Sequence, residues 1–135
     1  MADKRPGGKA GIRLRWTLVV LVMLAIFAVS AIPGSKKPKD PYPGADKPEH
    51  FIAYALLALT LYGAVSTSAP ERGRLFILAA TIVIAAAYGV TDELHQHFVP
   101  GREMSIRDWR ADLFGASTVA FAMHLIGMIG GRKNE

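Results

Sequence analysis

Cysteine is absent from this chain, so neither a disulfide nor a thiolate metal site can form. Charge is scarce, with Asp, Glu, Lys and Arg making up 20% of the residues, and it is gathered into blocks. A basic stripe interleaved with aromatic residues is missing as well. The net charge of +5 lies mostly in the first fifteen residues and in short connections, which argues against a nucleic-acid surface and for a membrane surface. Internal repeats and low-complexity segments are missing too. The 135 residues suit one domain.

What the chain does have is apolar runs. Residues 1–15 are polar and glycine-rich, with Lys4, Arg5, Lys9, Arg13 and Arg15, and read as a disordered basic tail. Trp16 to Ile32 carries no charge and is long enough to cross a bilayer core at about 1.5 Å per residue. A cleaved signal peptide is the rival reading, because Ala28-Val29-Ser30 resembles a cleavage site. The run exceeds the roughly 7–15 residues of a signal core, and Trp16 suits an interfacial anchor. Pro33-Gly34-Ser35 ends the first helix, and the lysine- and proline-rich stretch 36–43 reads as an extended linker.

Asp46 and Glu49 have capping-box spacing and open a second apolar run, His50 to Val65. After a short polar turn, a third run begins at Arg74, and helical periodicity continues to about Phe98. Pro100-Gly101 is a turn. Ser105 and Asp108 form another capping box and start a fourth helix, which runs to about Ile129 and ends at Gly130-Gly131-Arg132-Lys133. Each run is apolar all round, the pattern of a membrane span or of a large protein's core. A chain this short cannot bury four such helices in water. The expected fold is therefore an all-α integral-membrane four-helix bundle over residues 16–131, with the lipid bilayer as partner and residues 132–135 as a second cytoplasmic tail.

Four spans put both termini on one side, with Lys4, Arg5, Lys9, Arg13, Arg15, Arg72, Arg74, Arg132 and Lys133. The other side holds Lys36, Lys37, Lys39, Lys47, Arg102, Arg107 and Arg110. The basic tail before the first span places both termini in the cytoplasm. Whichever way the bundle faces, the residues around Asp46–His50 and those from Asp92 to Asp112 share one side.

Polar groups there cost free energy, about 2.5–3.5 kcal/mol for a carboxylate at mid-membrane on insertion scales, so they call for a reason. On the third helix Tyr88, Asp92, His95 and Gln96 fall in one arc of about 100°, and Glu93 with His97 forms a pair on an adjacent face. His95 and His97 point roughly 200° apart, so the zinc-protease pattern is absent and no metal site is assigned. Asp108 and Asp112 share a face of the fourth helix with Gly115. The expected site gathers Asp46, Lys47, His50, Asp92, Glu93, His95, Gln96, Arg102, Ser105, Asp108 and Asp112. Trp109 reads as an interfacial anchor, His124 as a satisfied interhelical histidine, and Arg107 and Arg110 as snorkelling residues.

Three motifs carry a resemblance to a known family. They are Asp46-Lys47-x-x-His50-Phe51-x-x-Tyr54-x-Leu56-Leu57, Asp92-Glu93-x-His95-Gln96-x-Phe98-Val99-Pro100-Gly101-Arg102, and Ser105-x-x-Asp108. Together they resemble the VanZ-like family of small polytopic membrane proteins, whose namesake is associated with resistance to the glycopeptide teicoplanin. The resemblance runs from about Asp46 to Gly115. It implies a four-helix protein of the bacterial cell membrane and supplies no reaction and no cofactor. Members often have asparagine where this chain has Asp112, so an amide donor is lost here.

Two function classes follow. In the first, a non-enzymatic envelope protein binds a cell-wall precursor or lipid head group, with Arg102 and Lys47 holding phosphate or carboxylate. In the second, an intramembrane hydrolase or transferase acts on a lipid-linked phosphate, with His50 or His95 as general base or metal ligand, oriented by Asp92 or Glu93. The topology is open to test in this cysteine-free chain. Ser35→Cys should react with an impermeant thiol reagent in intact cells, and Ser68→Cys should not. Labelling of Ser68→Cys alone reverses the orientation, and labelling of both removes a span.

Overall fold

The structure, a computed structural model, describes residues 8–36 and 46–132, with side chains up to Ile129. Four helices make up the bundle: α1 (Lys9–Ser30), α2 (Lys47–Ser68), α3 (Arg74–His97) and α4 (Ile106–Arg132), with one 3-10 turn at Gly34–Lys36. At 22 to 27 residues they measure about 33–40 Å, and each contains a stretch apolar enough to cross a membrane.

Side-chain pairings give the directions. Trp16 Nε1 donates to Ser68 Oγ at 2.8 Å, so α1 and α2 are antiparallel. Tyr88 OH donates to the Met23 carbonyl at 2.6 Å, and Gln96 Nε2 donates to Ser30 Oγ at 3.3 Å, so α1 and α3 run together. Lys47 meets Asp108 and His50 meets Asp112, so α2 and α4 also run together. The chain goes up, down, up, down. α2 touches the other three helices, and α1 and α4 do not touch among the described residues.

The core holds Tyr54, Leu57, Ala58 and Leu61 of α2, with Val19 and Ile26 of α1, Ala85 of α3 and Ala116 of α4. Small residues let the backbones approach, since between helices in lipid it is close packing that holds them together. Between helices Gly115 is the tightest glycine position: a Cβ there would run into the Phe51 carbonyl of α2. Outward faces are apolar, with Leu21, Leu24, Leu56, Val83, Phe121 and Ile126 exposed, as a lipid-facing surface requires. Hydroxyls within the spans bond to their own helix, Thr60 to the Leu57 carbonyl and Thr81 to the Ile77 carbonyl, both at 2.8 Å. These hydroxyls therefore seek no partner in lipid.

Several sequence expectations need correction. Lys9–Arg15, expected in a disordered tail, is the first part of α1, and the Arg15 guanidinium lies against Gly63 of α2. Polar residues can continue a helix whose apolar part is already held, because each added residue needs little more than one hydrogen bond. α4 also runs on through Gly130 and Gly131 to Arg132. Trp109, expected as an interfacial anchor, is half-buried against α3, with Nε1 donating to the Ala86 carbonyl at 3.0 Å. His124 Nδ1 has no hydrogen-bond partner among the described residues. Arg107 and Arg110 are exposed, as snorkelling residues would be. The expected tail at residues 1–7, most of the linker at 37–43 and the last residues, 133–135, lie outside the described chain.

Gly115→Val should therefore force α2 and α4 apart and cost about 1–3 kcal/mol or more, as overpacking does. Gly73→Ala, with nothing near its added methyl, should change little. Thermal melting in detergent reads both, and equal melting temperatures would remove the close α2–α4 approach as a source of stability.

Candidate functional site

The polar residues converge at one end of the bundle, where α2 and α4 begin and α1 and α3 end. Asp46 takes the N-cap position of α2, but its carboxylate does not cap. It turns to Lys47 Nζ at 3.0 Å instead. Lys47 also reaches across to Asp108, which is 6% exposed. Burial pushes the Asp46 carboxyl up, but the hydrogen bond and charge of Lys47 outweigh it and hold it below the usual carboxylate range. The stability this pairing contributes is present above the ordinary Asp pKa of about 3.9 and is lost as pH falls through the lowered value.

One turn further in, His50 Nδ1 and Asp112 Oδ1 stand 2.9 Å apart, and Asp112 has no exposed surface. His50 Nε2 lies 3.8 Å from Asp108 Oδ2. The second capping box is shared between helices. Ser105 Oγ accepts from the Asp108 N–H at 3.4 Å, while the Ser105 N–H donates at 2.6 Å to Glu93 Oε2 of α3, not to Asp108. Glu93 replaces the capping carboxylate because that of Asp108 is taken by Lys47. Asp92 and Gln96, one turn apart on α3, are joined at 3.0 Å. Asp92, Glu93 and Gln96 are all buried.

Tyr54, one turn beyond His50 on α2, completes this interior. It is 1% exposed, its hydroxyl has no hydrogen-bond partner among the described residues, and it lies within the field of Asp92, Asp112 and Glu93. Its signal in the sequence was the i,i+4 spacing from His50, which reads equally well as core packing.

The turn after α3 sets Arg102. Pro100-Gly101 has the residues and the positive φ, 73° at Gly101, of a type II turn, and Arg102 N–H closes it onto the Val99 carbonyl at 3.1 Å. The Pro100 carbonyl accepts from the Gly34 N–H at 3.0 Å, which ties this turn to the end of α1. Arg102 lies at the polar mouth of a groove of about 490 Å³ between α1 and α2. Leu18, Leu21, Ala25 and Val29 form one wall, Ala53 and Leu56 the other, and Glu49, His50 and Asp92 join Arg102 at the mouth. The groove descends to Thr60, about 16 Å along α2 from Glu49.

A family model described as VanZ/LLP1 matches residues 15–127. The chain belongs to this family. The VanZ-like resemblance, carried by motifs between Asp46 and Gly115, thus extends over α1 as well. No curated protein and no solved structure matches the chain. Of the motif residues quoted for the resemblance, Lys47 and His50 of α2, Asp92 and Glu93 of α3, Arg102 of the turn and Asp108 of α4 lie at the polar end of this VanZ/LLP1 protein.

Two expected members of the site sit elsewhere or act otherwise. His95 is turned to α1, where its ring stacks on Phe27 with centroids 4.1 Å apart. The wheel that grouped it with Asp92 is right, but that arc spans the α1 contact as well as the interior. Lys47 is held by two carboxylates, so it is not a free anion-binding cation. His97 is exposed and stands edge-on to Phe98. Two sets of ligand-capable groups also come within 4.8 Å of one another, Asp46–His50–Asp108 and His50–Glu93–Asp112, where the sequence had suggested no metal site. A spacing rule within one helix does not reach these sets, because the donors of each come from more than one helix.

Lys47→Met should strand Asp108 and lower stability by about 1–3 kcal/mol, below the 3–5 of a fully buried pair because Lys47 stays 31% exposed. Adding Asp108→Asn should recover much of that loss. Unfolding in mixed micelles checks the cycle, and strictly additive losses would show that the two side chains act independently.

Proposed function

We propose that this protein is a multi-pass protein of the bacterial cell membrane, with both termini cytoplasmic, that binds a phosphate-bearing envelope lipid at its outer face. The chain of that lipid lies in the groove between α1 and α2, and its head meets Arg102. The observation that carries this reading is the groove itself: apolar walls that end on a guanidinium whose buried Nε has no hydrogen-bond partner among the described residues. Its length matches one leaflet of the hydrocarbon core, about 15 Å, and its volume lies in the range of lipid and ligand pockets. A planar guanidinium is the side chain best shaped for a phosphate or carboxylate. The basic residues near the N-terminus support the outward direction of the polar end. By family resemblance, the bound component is one whose sequestration contributes to glycopeptide tolerance.

One observation favours a second reading, a hydrolase or transferase on a lipid-linked phosphate. His50 lines the groove and is oriented by a fully buried carboxylate, the arrangement of a general base.

Native mass spectrometry with a prenyl phosphate and with phosphatidylglycerol separates these outcomes. Wild type should bind, Arg102→Gln should weaken binding about tenfold or more, and Ala25→Trp should block the groove. Equal binding by all three proteins would overturn the groove as the site. Release of inorganic phosphate from a prenyl pyrophosphate, lost in His50→Ala, would favour the enzyme.

A further inference from the structure

We propose that His50, Glu93 and Asp112 form an intramembrane site for a divalent metal ion that accepts mixed nitrogen and oxygen donors, such as Mn(II) or Zn(II). One donor atom from each of the three residues lies within 4.8 Å of the other two. An ion about 2.2 Å from each donor holds them about 4.4 Å apart or closer, so only a small inward movement separates this set from a coordination sphere. The three residues come from α2, α3 and α4, and the site therefore exists only in the assembled bundle.

Charge makes the stronger argument. Asp46, Asp92, Glu93, Asp108 and Asp112 meet at this end, and all but Asp46 are buried. Lys47 is already shared by Asp46 and Asp108, which leaves His50 to Glu93 and Asp112, with Asp92 and Arg102 beside them at the groove mouth. The Asp46–His50–Asp108 set thus has its cation, and the inner set does not. Buried carboxylates in excess of cations are costly in a membrane, and a bound divalent ion removes that cost.

The free atoms point the same way. Each inner carboxylate has one oxygen fixed by a donor and one without a partner: Glu93 by the Ser105 N–H, Asp112 by His50, Asp92 by Gln96. Metal-ligating carboxylates are held in this manner, and for Glu93 the anchor, the Ser105 N–H, lies outside the proposed ligand set. The Tyr54 hydroxyl, on an almost fully buried side chain, is a further unpartnered oxygen within the field of the same three carboxylates. Binding would displace the proton between His50 Nδ1 and Asp112 Oδ1, as metal capture by protonated ligands does.

This inference does not depend on lipid binding, and its test uses none. Full-length protein in detergent is stripped with chelator, loaded with Mn(II) alone and dialysed. Wild type should retain one ion per chain, and pulsed EPR should show nitrogen modulation from an imidazole. Glu93→Gln and Asp112→Asn keep the side-chain shape and should weaken binding at least about tenfold, while Glu103→Gln, an exposed carboxylate near the same end, should not. Wild-type retention no greater than a detergent blank, or an EPR signal without nitrogen modulation, overturns the site even if the variants fail to fold. So does binding that survives both Glu93→Gln and Asp112→Asn.

Discussion

Asp112 has no exposed surface, and its charge faces His50 across the α2–α4 contact. That contact can be so close because Gly115, one turn on, brings the α4 backbone against the Phe51 carbonyl. Much else is arranged around it. Asp108 is placed one turn earlier, where Lys47 can reach it, and because Lys47 holds Asp108, Ser105 turns its N–H to Glu93. Glu93 then ties α3 to the start of α4, while Asp92 on the same turn is tied through Gln96 to the end of α1. One steric allowance between two helices thus sets the register of a polar network drawn from all four.

In a soluble protein such a network could dissipate its charge into water. Here the surrounding helices present apolar side chains outward, so each carboxylate must find a donor, a proton or a cation inside the protein. The outer layer, Asp46–Lys47–Asp108, is balanced by a lysine that stays partly exposed. The inner layer, His50–Asp112–Glu93–Asp92, is not balanced by any lysine. The two layers therefore differ in chemistry: the first fastens helices, and the second can take up a positive partner. Arg102, on a turn fixed by Gly101 and Gly34, stands beside the second layer and opens it to the groove.

Most of the fold was legible in the sequence, because long uncharged runs have few alternatives in a chain of this length. The capping signals marked the starts of α2 and α4 correctly, although the caps themselves differ in detail. Asp46 and Asp108 gave up capping for Lys47, since a charge pair at a membrane boundary outweighs one capping bond. The helix-wheel reading also placed Asp92 and Gln96 together. It could not separate them from His95, because a wheel gives directions around one axis and not the identity of the neighbour in each direction.

The sequence by itself determined the helix count, the apolar exterior and the family, for each rests on local composition or on a motif of short spacing. It also determined that the polar residues lie at one end, since that follows from counting spans. Only the tertiary structure decided which of them meet. Lys47 and Asp108 are sixty-one residues apart, and His50 and Asp112 sixty-two. Whether such pairs form depends on how closely two helices pack and in what register. Those are fixed by glycine and alanine positions whose meaning is sterically defined by the opposite helix, and no single helix carries that information.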